Sequence, residues 1–537
     1  MHTLISPYGD ALVALMADDK INATLCQQAK GWPVIKLDAL MQSDLELLLS
    51  GAYSPLTGYL GQADYLNVLN NMRLSDGRVW PLPLTLVIPI RLAQSLKLGQ
   101  KIALSSVNGE IIAVVTVAEI YRANIELEAQ QLGATLEYAA EAKWYVGGPV
   151  TGLAIPERYD FGELLLQPAE MRDFFQRRGW SQVVAYQSAQ PLHRAVHEFI
   201  SGVAAQNRAG LLIQPMVGGY MSERHEFYPL IRSYLAAMSR LSKLTSMLSL
   251  SPNYSRRGGV REILHRAIMM RNYGCSHLVV GGEPGGEGRS RRGADVLDSQ
   301  IYQQISQHIH EIGVGLIPFP RMVYVEKRAQ FMPMEEAPKD SLKLTLSAEE
   351  VKRRLHAGLE IPEWYAFPEV MAEIRQAYLP RHMSGFAILL TGMVGVGKTT
   401  LAHALSQVLM ANGTRKVTVL DHELIARHPA IVGGYNNLGW IAAEMVRHQG
   451  IVVCAVPSPS SAIRRAMRQT VQAQGGYLEL YLTASPSLRH ARSAVTVEDS
   501  AYEVPEQPDL VINSDDGSLA QSLQTVILKL QQEGYLQ

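Results

Sequence analysis

The hydrophobic and polar positions along the chain change period several times, and each change marks a different kind of element. Between about residues 35 and 150 the apolar residues gather in short β-rich runs, such as 84–90 and 111–120, separated by Gly, Pro, Asn and Asp. Runs of that length between turn-forming residues predict a small β-rich domain. From about 180 to 325, compact apolar segments at 183–186, 210–214, 277–280 and 314–318 alternate with amphipathic stretches at helical spacing. That alternation predicts a parallel α/β sheet whose ligands bind beyond the C-terminal ends of its strands. A helical stretch at 347–359 leads through Ile361 and Pro362 into residues 367–378, together a compact connector. The last third opens with an apolar run at 386–390, suited to a buried strand, and residues 400–409 then repeat apolar side chains at helical spacing.

Between that strand and that helix lies the run Gly392, Met393, Val394, Gly395, Val396, Gly397, Lys398, Thr399. Glycines at this spacing let backbone N–H groups turn inward toward phosphate oxygens. Lys398 supplies a point charge to the β and γ phosphates, and the Thr399 hydroxyl is offered to Mg²⁺. Gly392, Gly395, Gly397, Lys398, Thr399 and Thr400 are therefore the candidate nucleotide-binding residues, and ATP with Mg²⁺ the expected cofactors. Asp421 ends the next strand-like run, 417–420, where a carboxylate holds a Mg²⁺ water or accepts a substrate hydroxyl proton. Lys398 and Asp421 are the candidate catalytic residues, and Thr399 and Asp421 the candidate metal ligands.

Length and composition add bounds. A chain of 537 residues exceeds what one core organises, so three or four domains are expected. Hydrophobic content of 47% and charged content of 18% describe an ordinary globular protein, with no internal repeat or low-complexity segment. A formal net charge of −1 removes any whole-molecule argument for nucleic acid or an acidic membrane as partner. Cys26, Cys275 and Cys454 are isolated and odd in number, which fits neither a disulfide framework nor a zinc spacing. With no leader pattern at residues 1–10 and no run long enough to span a bilayer, the expectation is a cytoplasmic protein.

Several longer stretches carry a family resemblance. "RRLHAGLEIPEWYAFPEV" (353–370), "SGAYSPLTGYL" (50–60), "REILHRAIMMRNYGCSHLVVG" (261–281) and "PFPRMVYVE" (318–326) resemble ATP sulfurylases. After residue 383, the phosphate loop, Leu420-Asp421, Pro457-Ser458-Pro459 and "PEQPDLVIN" (505–513) resemble adenylylsulfate (APS) kinase. The two resemblances span nearly the whole chain, in the order of the fused sulfate-activating proteins. In that family a sulfurylase makes APS from ATP and sulfate, and a kinase phosphorylates its 3′-hydroxyl to give PAPS. The resemblance implies an α/β protein with a β-rich PUA-like domain (1–165), a Rossmann-like nucleotidyltransferase domain (166–325), a small connector domain (326–382) and a C-terminal P-loop kinase domain (383–537). It also implies a homo-oligomer.

Active sulfurylases hold sulfate and the ATP phosphates with a Gln-x-Arg-Asn segment followed by His-x-x-His. The corresponding stretch here keeps Gln187 and His193, but Ala189 and Gln190 replace the Arg and Asn, and the second His position falls on Val196. His197 comes one residue late, a rotation of about 100° on a helix. Where the family carries Gly-Arg-Asp, this chain has Gly281, Gly282 and Glu283. Arg256, Arg257, Arg289, Arg291 and Arg292 lie nearby in sequence as substitutes or as solvated loop residues. The pair His193 and His197 is open to three readings: a shared metal, a reduced ATP-phosphate site, or structural histidines.

On the kinase side the family's Asp-Gly-Asp-Asn-x-Arg appears as Asp421, His422, Glu423, Leu424, Ile425, Ala426, with Arg427 next to the missing arginine. Ile-Ser-Pro-x-Arg appears as Pro457, Ser458, Pro459, Ser460, Ser461, with Arg464 and Arg465 following. A lysine-rich lid is expected between Arg492 and Tyr502, and this chain has only residues 493–501 there. The leading expectation is an adenylylsulfate kinase fused to a sulfurylase-like portion that no longer catalyses. The alternatives are a non-catalytic nucleotide-binding regulatory or assembly protein and a P-loop kinase for another acceptor.

Overall fold

The computed structural model describes residues 3–132, 143–156, 160–219, 227–256, 259–281, 299–413, 415–421, 424, 427, 435–456, 458, 460–492 and 502–536. The chain forms two compact units, one of Met1–Lys352 with Ile361–Ala377, the other of Arg353–Glu360 with Tyr378–Gln537. Residues 326–382, read from sequence as one connector, are thus shared between them.

The first unit begins with strands β1 (Val34–Lys36), β2 (Gly58–Tyr59), β3 (Leu86–Ile88), β4 (Lys101–Ser105), β5 (Ile111–Thr116), β6 (Glu119–Arg122) and β7 (Trp144–Gly152) in one sheet. The order is β1-β4-β5-β7-β2, with β3 and β6 also on β7, and all pairs are antiparallel except β1 with β4. Asn108-Gly109 turns β4 into β5, with Gly109 at φ 91° and Ser106 N–H bonded to the Glu110 carbonyl at 2.7 Å. Helices intervene where the pattern was read as β-rich. In Ala39–Leu49 the Asp38 carboxylate caps Met41 N–H at 2.8 Å, and Leu45, Leu47, Leu48 and Leu49 are buried.

The second sheet is wholly parallel, as its near-continuous apolar strands require. It contains β8 (Val183–Ser188), β9 (Gly210–Pro215), β10 (Ser246–Leu248), β11 (His277–Val280) and β12 (Gly315–Pro318), in the order β10-β9-β8-β11-β12. From β8 the chain moves outward through β9 and β10, then returns to β11 on the other side. The strand order reverses between β8 and β11, and open α/β sheets bind ligands beyond the strand ends at such a switch. An antiparallel sheet of β13 (Met322–Val325), β14 (Gln330–Pro333) and β15 (Lys343–Leu344) follows. The helix Pro368–Ala377 closes the unit by packing on Phe227–Met238, with Arg232 to Glu373 at 2.7 Å and Arg240 to Glu369 at 2.6 Å.

The second unit is built on β16 (Phe386–Thr391), β17 (Val417–Asp421), β18 (Ile451–Ala455), β19 (Gly476–Thr483) and β20 (Leu510–Asn513), all parallel in the order β17-β18-β16-β19-β20. Successive side chains of the central β16 feed opposite cores. Phe386, Ile388 and Leu390 pack with Leu401, Leu405, Val526 and Leu530, whereas Ala387 and Leu389 pack with Leu438, Ala442 and Met467. Both faces are covered, which fixes the ends of β16 and β17 where the glycine-rich loop and Asp421 emerge.

Candidate active sites

The loop after β16 owes its shape to its glycines. Gly392, Gly395 and Gly397 have φ of 147°, 86° and 96°, a backbone region that disfavours side chains. Space excludes a side chain too, since a Cβ on Gly392 would meet the Leu482 carbonyl oxygen at 2.3 Å and one on Gly395 the Arg489 oxygen at 2.7 Å. Directly after the loop begins the helix Lys398–Asn412, here called the phosphate-loop helix. Thr399 and Thr400 stand exposed in its first turn. Lys398 is buried and folds its Nζ back to donate to the carbonyls of Gly392 and Met393, both at 2.8 Å. Burial pushes its ammonium down to about 8. Arg492 adds a guanidinium, its Nη1 3.6 Å from where a Cβ on Gly397 would sit.

Asp421, at the end of β17, is buried. Its Oδ1 accepts the Leu424 N–H at 2.8 Å, and its Oδ2 lies 3.1 Å from Nε2 of His403 on the phosphate-loop helix. Arg464, a sequence candidate to replace the lost arginine, is committed elsewhere. Its buried guanidinium reaches Glu479 at 3.1 Å, the Ser458 carbonyl at 2.7 Å and the Glu503 carbonyl at 2.8 Å. Arg465 is exposed beside it. His422, Glu423, Ile425, Ala426, Pro457, Pro459 and residues 493–501 lie outside the described residues.

In the first unit, Gln187 on β8 stands opposite Gln214 on β9 and donates to its Oε1 at 2.6 Å. Arg266, on the helix Gly259–Tyr273, donates from Nε to Gln187 Oε1 at 3.2 Å and from Nη2 to the Gln187 carbonyl. His193 is the N-cap of the helix Arg194–Gln206, and His197 lies one turn along it. The His193 ring stacks on Tyr365, with centroids 5.5 Å apart and planes 26° apart, and His197 meets Phe367 edge-on at 5.1 Å. Both Nε2 atoms are buried without a hydrogen-bond partner. Burial pushes His193 down to about 4 and lowers His197 as well, with Glu198 opposing the second shift. Among the described residues no group of three or more His, Cys, Asp or Glu is placed to hold a metal ion, so nothing there adds a ligand to the histidine pair.

Arg256 is no free anion ligand either. It is partly buried and paired with Asp44, with Nη2 also donating to Tyr53 Oη at 2.7 Å. Gly282, Glu283, Arg257, Arg289, Arg291 and Arg292 lie outside the described residues. Among the described residues no helix is long and apolar enough to cross a membrane.

Three family models match in chain order: a PUA-like domain at residues 5–154, ATP-sulfurylase at 162–377 and adenylylsulphate kinase at 384–513. A curated sulfate adenylyltransferase of Chaetomium globosum is 30% identical over 567 residues, covering 99% of each chain. One of Mycosarcoma maydis is 31% identical over 571 residues, covering 99% of this chain and all of the relative. The chain belongs to the fused ATP sulfurylase/APS kinase family. A solved structure described as a hexameric APS kinase from Thiobacillus denitrificans is 37% identical, covers all of both chains and superposes with a TM-score of 0.86.

Within this family architecture, the structure gathers Gly392, Gly395, Gly397, Lys398, Thr399 and Thr400 into one loop and first helical turn, with Asp421 reached through His403. It brings His193 and His197 together against residues 365–367. Among the described residues no hydrogen bond joins Gln187 to either histidine. Sequence reasoning missed Arg266, His403 and Arg492. The i, i+4 spacing of Thr399 and His403 was the available signal for His403, because it sets both on one helix face.

Proposed function

We propose that this member of the sulfate-activating family is an adenylylsulfate kinase, transferring the γ-phosphoryl group of ATP to the 3′-hydroxyl of adenylyl sulfate, and that its sulfurylase-like portion does not adenylylate sulfate. The observation that carries the reading is Lys398 held on two loop carbonyls at 2.8 Å beside three glycines at positive φ. An ammonium kept by carbonyl oxygens exchanges them for phosphate oxygens without new desolvation, and the loop amides supply the remaining donors. Thr399 and Asp421 would hold Mg²⁺, directly or through water, and the ion would neutralise charge gathering on the transferred group. The acceptor 3′-oxygen forms its bond to the γ-phosphorus as the bond to the bridging oxygen breaks. ADP leaves, and Asp421 takes the hydroxyl proton.

The sulfurylase reaction joins two anions and depends on fixed cationic donors. With Ala189 in place of the arginine, and the Gly-Arg-Asp arginine position filled by Gly282, two guanidinium groups are missing. Charge-assisted hydrogen bonds contribute roughly 1.5 to 3 kcal/mol each. Arg266 offers one guanidinium, already engaged by Gln187, and His193 is neutral at physiological pH. The name shared by the curated relatives favours sulfurylase activity instead; the hexameric kinase relative favours phosphoryl transfer and a homo-oligomer. Buried Cys275 and Cys454 thiols fit a cytoplasmic location.

The test is direct. With ATP, Mg²⁺ and adenylyl sulfate the protein is expected to release ADP and PAPS in equal amounts. Bound ATP with no PAPS would favour the non-catalytic reading, and ADP formation only with another hydroxyl acceptor would redirect the kinase reading.

A further inference from the structure

A buried carboxylate needs partners to stay ionised and aimed. Asp421 has two among the described residues: the Leu424 N–H on Oδ1 and the His403 imidazole on Oδ2. The amide belongs to the chain just after the strand, but His403 comes from a different element. It sits on the phosphate-loop helix one turn beyond Thr399, on the same face. The Asp421 side chain is 8% exposed and the His403 side chain 56% exposed, so the imidazole forms the solvent side of the pair and the carboxylate its inner side. One ring thus joins the helix that carries Lys398 and Thr399 to the strand end that carries the carboxylate.

We propose that His403 is a positioning residue: its Nε2–H fixes the rotamer of Asp421 so that the carboxylate faces the Thr399 side of the loop. This deepens the kinase reading and rests on it. Without the imidazole, Oδ2 loses its only side-chain donor among the described residues, and the carboxylate is free to swing toward water. His403 is the exposed member of the pair and Asp421 the buried one, so the contact acts on the orientation of Asp421.

The experiment uses the full-length protein with His403→Leu, His403→Gln, Asp421→Asn and the double variant His403→Leu/Asp421→Asn. His403→Leu is expected to lower kcat for PAPS formation about tenfold, one charge-assisted hydrogen bond, with KM for adenylyl sulfate changed less than about twofold. His403→Gln, whose amide keeps a donor, is expected to recover most of the rate. In the Asp421→Asn background, His403→Leu is expected to cost nothing further, because the two act as one unit. A second arm measures ATP binding by calorimetry with Mg²⁺ and with EDTA, and only the Mg²⁺-dependent gain in affinity is expected to shrink in His403→Leu. Unchanged kcat in His403→Leu, or losses that multiply in the double variant, overturns the proposal. If the wild type makes no PAPS, the kinase reading fails by itself. The calorimetric arm then decides, and equal Mg²⁺-dependent affinity in wild type and His403→Leu overturns the positioning role.

Discussion

Lys398 and His193 are both bases withdrawn from water at a site foreseen from the sequence, the first buried and the second partly so with its Nε2 buried, and burial lowers both, yet their surroundings differ in kind. Lys398 is pushed to about 8 and remains mostly charged at neutral pH, held by oxygens that a phosphate can replace. His193 is pushed to about 4, lies on the face of Tyr365 and leaves its Nε2 unpartnered. The first environment keeps a cation ready for an anion. The second gives a neutral ring a packing role. Buried position alone therefore does not mark a working site; what the base touches does.

The strongest way to break this contrast is to remove each base in turn. Lys398→Ala is expected to lower PAPS formation about a thousandfold, as for loss of a central transition-state donor. His193→Ala should leave that rate within about twofold, because its effect is on packing. Comparable losses of PAPS formation in the two variants would erase the distinction.

The arginines sharpen the comparison, since Arg464 and Arg256 are both tied to carboxylates instead of waiting for an anion. Glu479→Ala leaves the Arg464 guanidinium buried without its carboxylate, and urea unfolding of the kinase unit should show a loss of about 3 kcal/mol. A loss under about 0.5 kcal/mol, the range of ordinary surface changes, would mean Arg464 is free enough to serve a ligand. Next in size, Tyr365→Ala removes the stacked partner of His193 and is expected to lower the stability of the first unit by about 2 kcal/mol, read by thermal denaturation. An increase in stability there would identify the pair as strained and the site as kept for a ligand.

The smallest effect is on pH dependence. Lys398 is charged below its lowered value and neutral above it, so phosphate attraction is present at pH 7 and fades as pH rises through about 8. The dissociation constant for ATP should rise by at most about tenfold per unit above that point, with proton uptake on binding. A flat profile from pH 7 to 9.5 would show that the ammonium is not the phosphate ligand.

What the sequence revealed follows from how local each feature is. The phosphate loop was legible because its glycines, lysine and threonine are contiguous, and the strand Phe386–Thr391 and helix Lys398–Asn412 stand where the flanking periodicity put them. The parallel sheet was legible for four of its strands. Ser246–Leu248 escaped because three residues starting with a serine carry no period. The N-terminal region read as β-rich because its strands hold β-branched runs, whereas Ala39–Leu49 buries consecutive leucines that blur the helical spacing. Partners distant in sequence were not legible at all. Arg256 finds Asp44 across 212 positions, and His403 finds Asp421 only because a helix face turns toward a strand end.

The central claim is that phosphoryl transfer persists while sulfate adenylylation does not. It is tested most directly by comparing, in one preparation with ATP and Mg²⁺, pyrophosphate released on adding sulfate with PAPS formed on adding adenylyl sulfate. The account predicts PAPS at a steady rate and no sulfate-dependent pyrophosphate. Sulfate-dependent pyrophosphate release that survives in Lys398→Ala, with no PAPS from the wild type, would contradict it.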